Sequence, residues 1–221
     1  MNQKIKVILT GATGMVGEGV LLECLKNEDI GSVLIVNRRP SNMNHPKLKE
    51  IIIPNFSDLK NFEKELKGYD VCYFCLGVSS AGMKEDKYYE LTYTLTLDFA
   101  KLISKINPGS QFFYISGART DSTEKGSTMW ARIKGKTEND LRKLGFAKVF
   151  AVRPGYLHPT PGMKNTLVYY KYFSWMYPIL RKFFPKSASS LEELGRAMNF
   201  VSMHGYKNDI LEVEDIIQLA K

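Results

Sequence analysis

Two kinds of apolar spacing alternate along the chain. Short, dense apolar runs ("KIKVILTG", "SVLIVN", "KEIIIP", "DVCYFCLG", "SQFFYIS" and "KVFAVRPG") read as strands. Between them the apolar positions fall three or four apart, the period of a helix. Residues 15–26 place Val16, Val20, Leu21 and Cys24 on one face. Residues 57–67 open on Ser57, a residue type that caps helices, and space Leu59, Phe62 and Leu66 for one side. Longer helices are expected within 86–106 and from about 127 to 143. A β-α-β-α rhythm of this kind predicts an α/β fold, a doubly wound parallel sheet with helices on both faces.

After Gly155 the rhythm breaks. Residues 156–187 are rich in proline and aromatics, "SSLEELGRAMNFVSMHG" reads as one capped helix stopping at Gly205, and "DILEV" with a terminal helical turn follows. The 221 residues suit one domain. A core over about 4–155 and a small C-terminal substrate lobe over 156–221, packed beside the carboxyl ends of the strands, are expected. The lobe is too short for a core of its own.

Composition narrows the classes. Hydrophobic residues at 44% and charged residues at 24% are those of a globular domain. The N-terminal "MNQKIKVILTG" runs straight into a strand pattern, so no secretory segment is expected, and a reducing cytoplasm is the expected location. Cys72 and Cys75 form C-x-x-C, but within a strand positions three apart point to opposite faces, so two buried thiols are expected rather than a redox or metal pair. The net charge of +8 comes without a basic run of five, which favours a solvated basic surface over nucleic-acid binding. His45, His158 and His204 lack metal-ligand spacing, and no metal is expected.

Chemistry concentrates first in "ILTGATGMVGEGV". Gly11, Gly14 and Gly17 are spaced G-x-x-G-x-x-G where a strand hands over to a helix, the context in which glycines admit a pyrophosphate to a helix N-terminus. Gly11, Thr13, Gly14, Met15 and Val16 are the expected contacts. An NAD-preferring site places a carboxylate about twenty residues on, at the end of the second strand. Here the residues are Asn37, Arg38 and Arg39, and two guanidinium groups suit a 2′-phosphate, so the expected cofactor is NADP(H).

These motifs resemble the short-chain dehydrogenase/reductase superfamily in its extended, atypical branch, that of NAD(P)-dependent epimerases and dehydratases. Within it the chain is similar to small oxidoreductases of the Tat-interacting-protein type. The resemblance runs from about Lys4 to Gly205 through "TGATGMVG", "NRRP", "FSDL", "CLGVSS", "YISGA", "KGKTENDL" and "VRPGYL" in order. It implies that Asp58 and Leu59 meet the adenine, that Leu76 and Gly77 lie near the ribose, and that Pro154 borders the cofactor. It implies a Ser116 that polarises a substrate carbonyl and a Lys134 that holds the ribose hydroxyls. The tyrosine of that family, four residues before the lysine, is here Trp130, whose indole donates a hydrogen bond but neither gives nor takes a proton near neutral pH.

Three functional readings follow. The chain is an NADP(H)-dependent oxidoreductase or epimerase-like protein with a relocated acid, for which Tyr156 is a candidate and Tyr114 a weaker one. Alternatively it is a non-catalytic NADP(H)-dependent sensor or partner-binding protein. The third reading, a peripheral membrane protein, rests on "TLVYYKYFSWMYPILRKFFPK", where Leu167, Tyr170, Ser174 and Tyr177 fall at helical spacing among Lys171, Arg181, Lys182 and Lys186. A lid over an apolar or carbonyl-bearing small molecule is the favoured use of that segment. Ser79 and Ser80 are expected in a turn or lining the site, and Asp70 in a turn.

Overall fold

The computed structural model describes residues 4–166, 177–184 and 186–221, without the Ser57 side chain. Strand β1 (Ile5–Thr10) leads into α1 (Met15–Lys26), then β2 (Ile30–Asn37) and β3 (Leu48–Ile52). A 3-10 helix (Phe56–Phe62), β4 (Val71–Phe74), α2 (Glu85–Tyr89), a π-helical turn (Glu90–Thr94) and α3 (Leu95–Ile106) follow. The order continues with β5 (Gln111–Ile115), α4 (Met129–Leu141), β6 (Lys148–Val152) and β7 (Tyr156–His158). It closes with α5 (Tyr177–Phe183), β8 (Ala188–Ser190), α6 (Leu191–His204), β9 (Ile210–Leu211) and α7 (Val213–Leu219).

Among the described residues the main sheet has the order β3-β2-β1-β4-β5-β6-β9, parallel throughout. Strand order reverses direction between β1 and β4, and the crevice beyond their carboxyl ends is where such sheets bind ligands. Alternation along each strand divides the core in two. Val7 and Leu9 of β1, Tyr73 of β4 and Phe113 of β5 face α1 and α6, against Val20, Leu21, Leu194 and Met198. Ile8, Cys72, Phe74, Phe112 and Tyr114 face the other way, against Leu59, Leu97, Phe99 and Ile103. Burying each such side chain contributes about 1.5–3 kcal/mol, and strands covered on both faces need no polar alternation. Cys72 thus lies in one core layer while Cys75 packs against the other. Both thiols are free, and burial holds Cys72 well above the usual range and pushes Cys75 up to about 12. Unionised thiols are poor nucleophiles and poor metal ligands.

Two expectations change. The segment predicted as a helix over 57–67 is a 3-10 helix ending at Phe62, and the Ser57 cap lies outside the described residues. The C-terminal region is not all a lobe beside the strand ends. Leu191, Leu194, Met198 and Val201 of α6 pack in the same core layer as α1, and β9 extends the sheet from β6. A capping box at Ser190 and Glu193 starts α6, and Gly205 at φ 72 ends it. What stands apart is a small parallel sheet, β7 with β8, that pairs Tyr156 with Ala188 and His158 with Ser190. No period in the chain announces that pairing, because both strands have three residues.

Candidate active site

The turn after β1 is built by close approach. Gly11 has φ +77, and a Cβ there would stand 2.8 Å from the Cys75 carbonyl oxygen at the end of β4. A Cβ on Gly17 would stand 2.1 Å from the Gly11 carbonyl oxygen, so α1 can start only against a bare Cα. Gly14 donates its N–H to Gly11 O at 2.9 Å and forms the N-cap of α1. Thr13 and Gly14 are exposed and Met15 and Val16 half-buried, leaving the first turn of α1 open for an anion.

Beside this turn lies a depression of about 790 Å³. Thr13, Arg38, Arg39, Ser41, Asn42 and Lys164 line it. Arg38 and Arg39 are exposed at the end of β2, and neither has an ion-pair partner among the described residues. A carboxylate does come near from β3. Glu50 accepts from Asn37 Nδ2 at 2.8 Å and from the Ser41 N–H at 2.9 Å, so it shapes the turn and does not line the depression. Asp58 is exposed on the 3-10 helix, while the Leu59 side chain points into the core. Leu76 is half-buried and Gly77 exposed beyond β4. Ser79 accepts from the Ala81 N–H at 3.3 Å within the turn. Asp70 accepts from the Lys6 N–H at 2.7 Å and starts β4, a structural task.

Ser116, Lys134 and Trp130 come from the end of β5 and the start of α4. Lys134 Nζ donates to the Ser116 carbonyl oxygen. Burial lowers its pKa from 10.5 to about 8, against an opposing pull from Glu138 one turn later. The Ser116 hydroxyl is buried and donates to the Val152 carbonyl at 3.2 Å, so it is turned toward β6. Trp130 is half-buried in the first turn of α4. Pro154 is buried, and its carbonyl accepts from the Ala118 N–H at 2.8 Å. Tyr114 is buried in the core layer under α3 and α4, its phenol raised well above the usual value by burial, so it is a packing residue. Tyr156 stands in β7 with its ring stacked on Tyr177 at 6.3 Å, and His158 stacks on the same ring at 4.3 Å.

The residues that brace this constellation escape a reading of spacing alone. Arg153 and Glu138 form a buried pair, Nε to Oε1 at 3.0 Å and Nη2 to Oε2 at 2.6 Å. The same guanidinium donates to Ser122 Oγ at 2.5 Å and to Glu212 Oε1 at 3.3 Å. One side chain therefore ties β6, α4, the loop before α4 and the cap of α7. Gly135 admits that loop, since a Cβ there would lie 1.8 Å from the Asp121 carbonyl oxygen. The available signals were the Glu four residues after Lys134 and the Gly directly after it.

The segment expected as a lid is described only in part. Leu167, Tyr170, Lys171 and Ser174 lie outside the described residues. Arg181 of α5 donates to Glu193 at 2.9 and 2.5 Å and so docks α5 on the start of α6. Ile179, Phe183 and Phe184 are exposed. No helix among the described residues is long and apolar enough to cross a membrane. Among the described residues, no three His, Cys, Asp or Glu side chains gather as a metal set.

A parallel sheet with a glycine turn at its switch point defines the class, a Rossmann-type dinucleotide-binding protein. The profile of the NAD dependent epimerase/dehydratase family matches residues 7–127, more than half of the chain, and this protein belongs to that family. Rat HTATIP2 is 25% identical over 236 residues, covering 99% of this chain and 90% of its own length. Protein FMP52, mitochondrial, of Meyerozyma guilliermondii is 26% identical over 155 residues, 69% of this chain. That match spans 65% of FMP52 itself. The NADPH-bound carbonyl reductase from chicken fatty liver shares the fold with a TM-score of 0.66 at 14% identity, covering 96% of this chain and 98% of its own. The expectation of a cytoplasmic location is overturned by the FMP52 relatives, since those of Meyerozyma, Scheffersomyces stipitis and Emericella nidulans are all named mitochondrial. Buried thiols in separate core layers report packing, not an address.

Proposed function

We propose that this protein binds NADP(H) and is an oxidoreductase or epimerase-like member of its family with a weakened proton-transfer apparatus. One observation carries the cofactor choice: the depression beside the glycine turn presents Arg38 and Arg39 and no carboxylate among its lining residues. The turn fits a dinucleotide because Gly11 and Gly17 let it close tightly against Cys75 and the start of α1, leaving Thr13 and Gly14 exposed at the helix N-terminus. When bound, the nicotinamide supplies a hydride donor or acceptor. Arg38 and Arg39 hold the 2′-phosphate through charge-assisted bonds. Lys134, which donates to the Ser116 carbonyl here, would hold the ribose hydroxyls. Asp58 and Leu59 border the adenine, Leu76 and Gly77 the ribose, and Pro154 the nicotinamide side. Trp130 would lie beside the nicotinamide and narrow the space for a carbonyl-bearing substrate without moving a proton. Tyr156, in β7 just after Pro154, is the remaining candidate acid.

A second reading, a non-catalytic NADP(H)-dependent sensor, is favoured by a specific pair of observations. The Ser116 hydroxyl donates to Val152 O, and Trp130, which the resemblance aligns with the family's tyrosine, stands four residues before Lys134. Calorimetric titration with NADPH and NADH tests the cofactor claim. NADPH is expected to bind at least tenfold more tightly, since each charge-assisted bond contributes about 1.5–3 kcal/mol. Equal affinities, or an Arg38→Ala protein that binds NADPH as well as the unmodified one, overturn it. Carbonyl reduction by the unmodified protein separates the two readings: slow turnover that Tyr156→Phe abolishes supports the enzyme, and none at all supports the sensor.

A further inference from the structure

The depression that holds Arg38 and Arg39 is closed on one side by the C-terminal lobe, at Lys164 and Asn165. Their position is set from inside the glycine-turn helix. Glu18, in the first turn of α1, is 3% exposed, and its carboxylate accepts from the Lys164 N–H at 2.8 Å and the Asn165 N–H at 2.7 Å. A buried carboxylate is costly unless its oxygens are satisfied, and two successive N–H groups pointing at one anion form a nest. The bond is therefore one of structure rather than of surface chance. It is reinforced by the residues just before it. Met163 packs against the core layer of α1 and α6, and Gly162 at φ +86 turns the chain just before it.

With its backbone pinned, Lys164 lines the same depression as the arginines. Arg38, Arg39 and Lys164 are all exposed, none has an ion-pair partner among the described residues, and no Asp or Glu lines the depression. Three cations facing one space repel each other until an anion of more than one charge arrives. A phosphomonoester, with a charge of about −1.5 to −2 at neutral pH, is such an anion.

We infer that the cofactor site extends onto the C-terminal lobe, where Lys164, held by Glu18, supplies a third cation to the 2′-phosphate. This rests on the NADP(H) reading above. The site then spans both parts of the chain, and the α1 helix serves it twice: its open first turn faces the pyrophosphate, and its buried Glu18 fixes the residue that recognises the second phosphate.

The test titrates the full chain with 2′,5′-ADP and with 5′-AMP, which differ by the 2′-phosphate alone. Lys164→Ala is expected to weaken 2′,5′-ADP about tenfold or more and to leave 5′-AMP within about twofold. Lys164→Arg should retain most of the affinity. Glu18→Gln, which keeps an acceptor but removes the charge, should weaken 2′,5′-ADP in the same direction and by less. Unfolding midpoints of each variant show that the fold is kept. Equal losses for both nucleotides would mean that Lys164 serves another phosphate, and the inference falls. A Lys164→Ala protein that binds 2′,5′-ADP normally, while Arg38→Ala does not, overturns the inference and leaves the NADP(H) reading standing. If the unmodified protein binds both nucleotides equally, the reading and the inference fall together.

Discussion

Substituting Glu138 by Gln should unlock the region around Lys134 by stranding Arg153. The Glu138 side chain is fully buried, and Arg153 is 8% exposed. Burial would lower the guanidinium's pKa, but hydrogen bonds and charge from Glu138 outweigh it and hold it raised. Removing one partner of a buried pair typically costs about 3–5 kcal/mol, because the other charge stays buried. Here Glu212, with a half-exposed side chain at 3.3 Å, keeps part of the compensation. We therefore expect a loss of about 3 kcal/mol. At this chain length each kcal/mol moves the thermal midpoint by about 2–4 °C, so a fall of about 6–12 °C is expected. Urea unfolding measures the free energy directly, with the slope checked for two-state behaviour. Glu138→Met combined with Arg153→Leu should recover most of the loss, since no charge is then stranded. A loss under about 1 kcal/mol in Glu138→Gln is what a solvent-exposed pair would give, and it would refute the clamp.

Gly135→Ala should destabilise the protein despite the roughly 1 kcal/mol that helix propensity would return, because the new methyl meets the Asp121 carbonyl; proteolytic nicking of the loop before α4 reads the effect. Affinity for NADPH should fall as pH rises through about 8, where the free protein's Lys134 loses its proton, and Lys134→Met should remove that dependence in calorimetric titrations. In the free protein the sign on stability is opposite. Charging Lys134 is penalised in full below about 8 and not at all above 10.5, so its contribution to urea resistance improves across that window. Trp130→Tyr should raise carbonyl turnover, as general acid–base assistance is worth about a hundred- to ten-thousandfold, and fast reduction by the unmodified protein would contradict the role given to the indole.

Much of this was legible because it is local. Val7 and Leu9 against Ile8, or Phe113 against Phe112 and Tyr114, announce a doubly covered strand by their neighbours alone. The glycine turn and the arginines after β2 sit within one βαβ unit, and the spacing Trp130 to Lys134 is one helical turn. The rest depends on partners far apart in the chain. Glu18 meets residues 164 and 165, Arg153 meets Glu212, and β7 pairs with β8 across the segment between them. No periodicity encodes such meetings, since they arise only once the sheet has brought its carboxyl ends together. The placement of α6 was misjudged for the same reason. Its amphipathic face is plain in the sequence, but which element that face covers is decided by α1, far away in the chain.

The most direct measurement is the electron density of the protein crystallised with NADPH. Our account predicts the 2′-phosphate between Arg38 and Arg39, Lys134 on the ribose hydroxyls, and the nicotinamide ring against Trp130. A 2′-phosphate turned away from both arginines, or a nicotinamide distant from the start of α4, would contradict it.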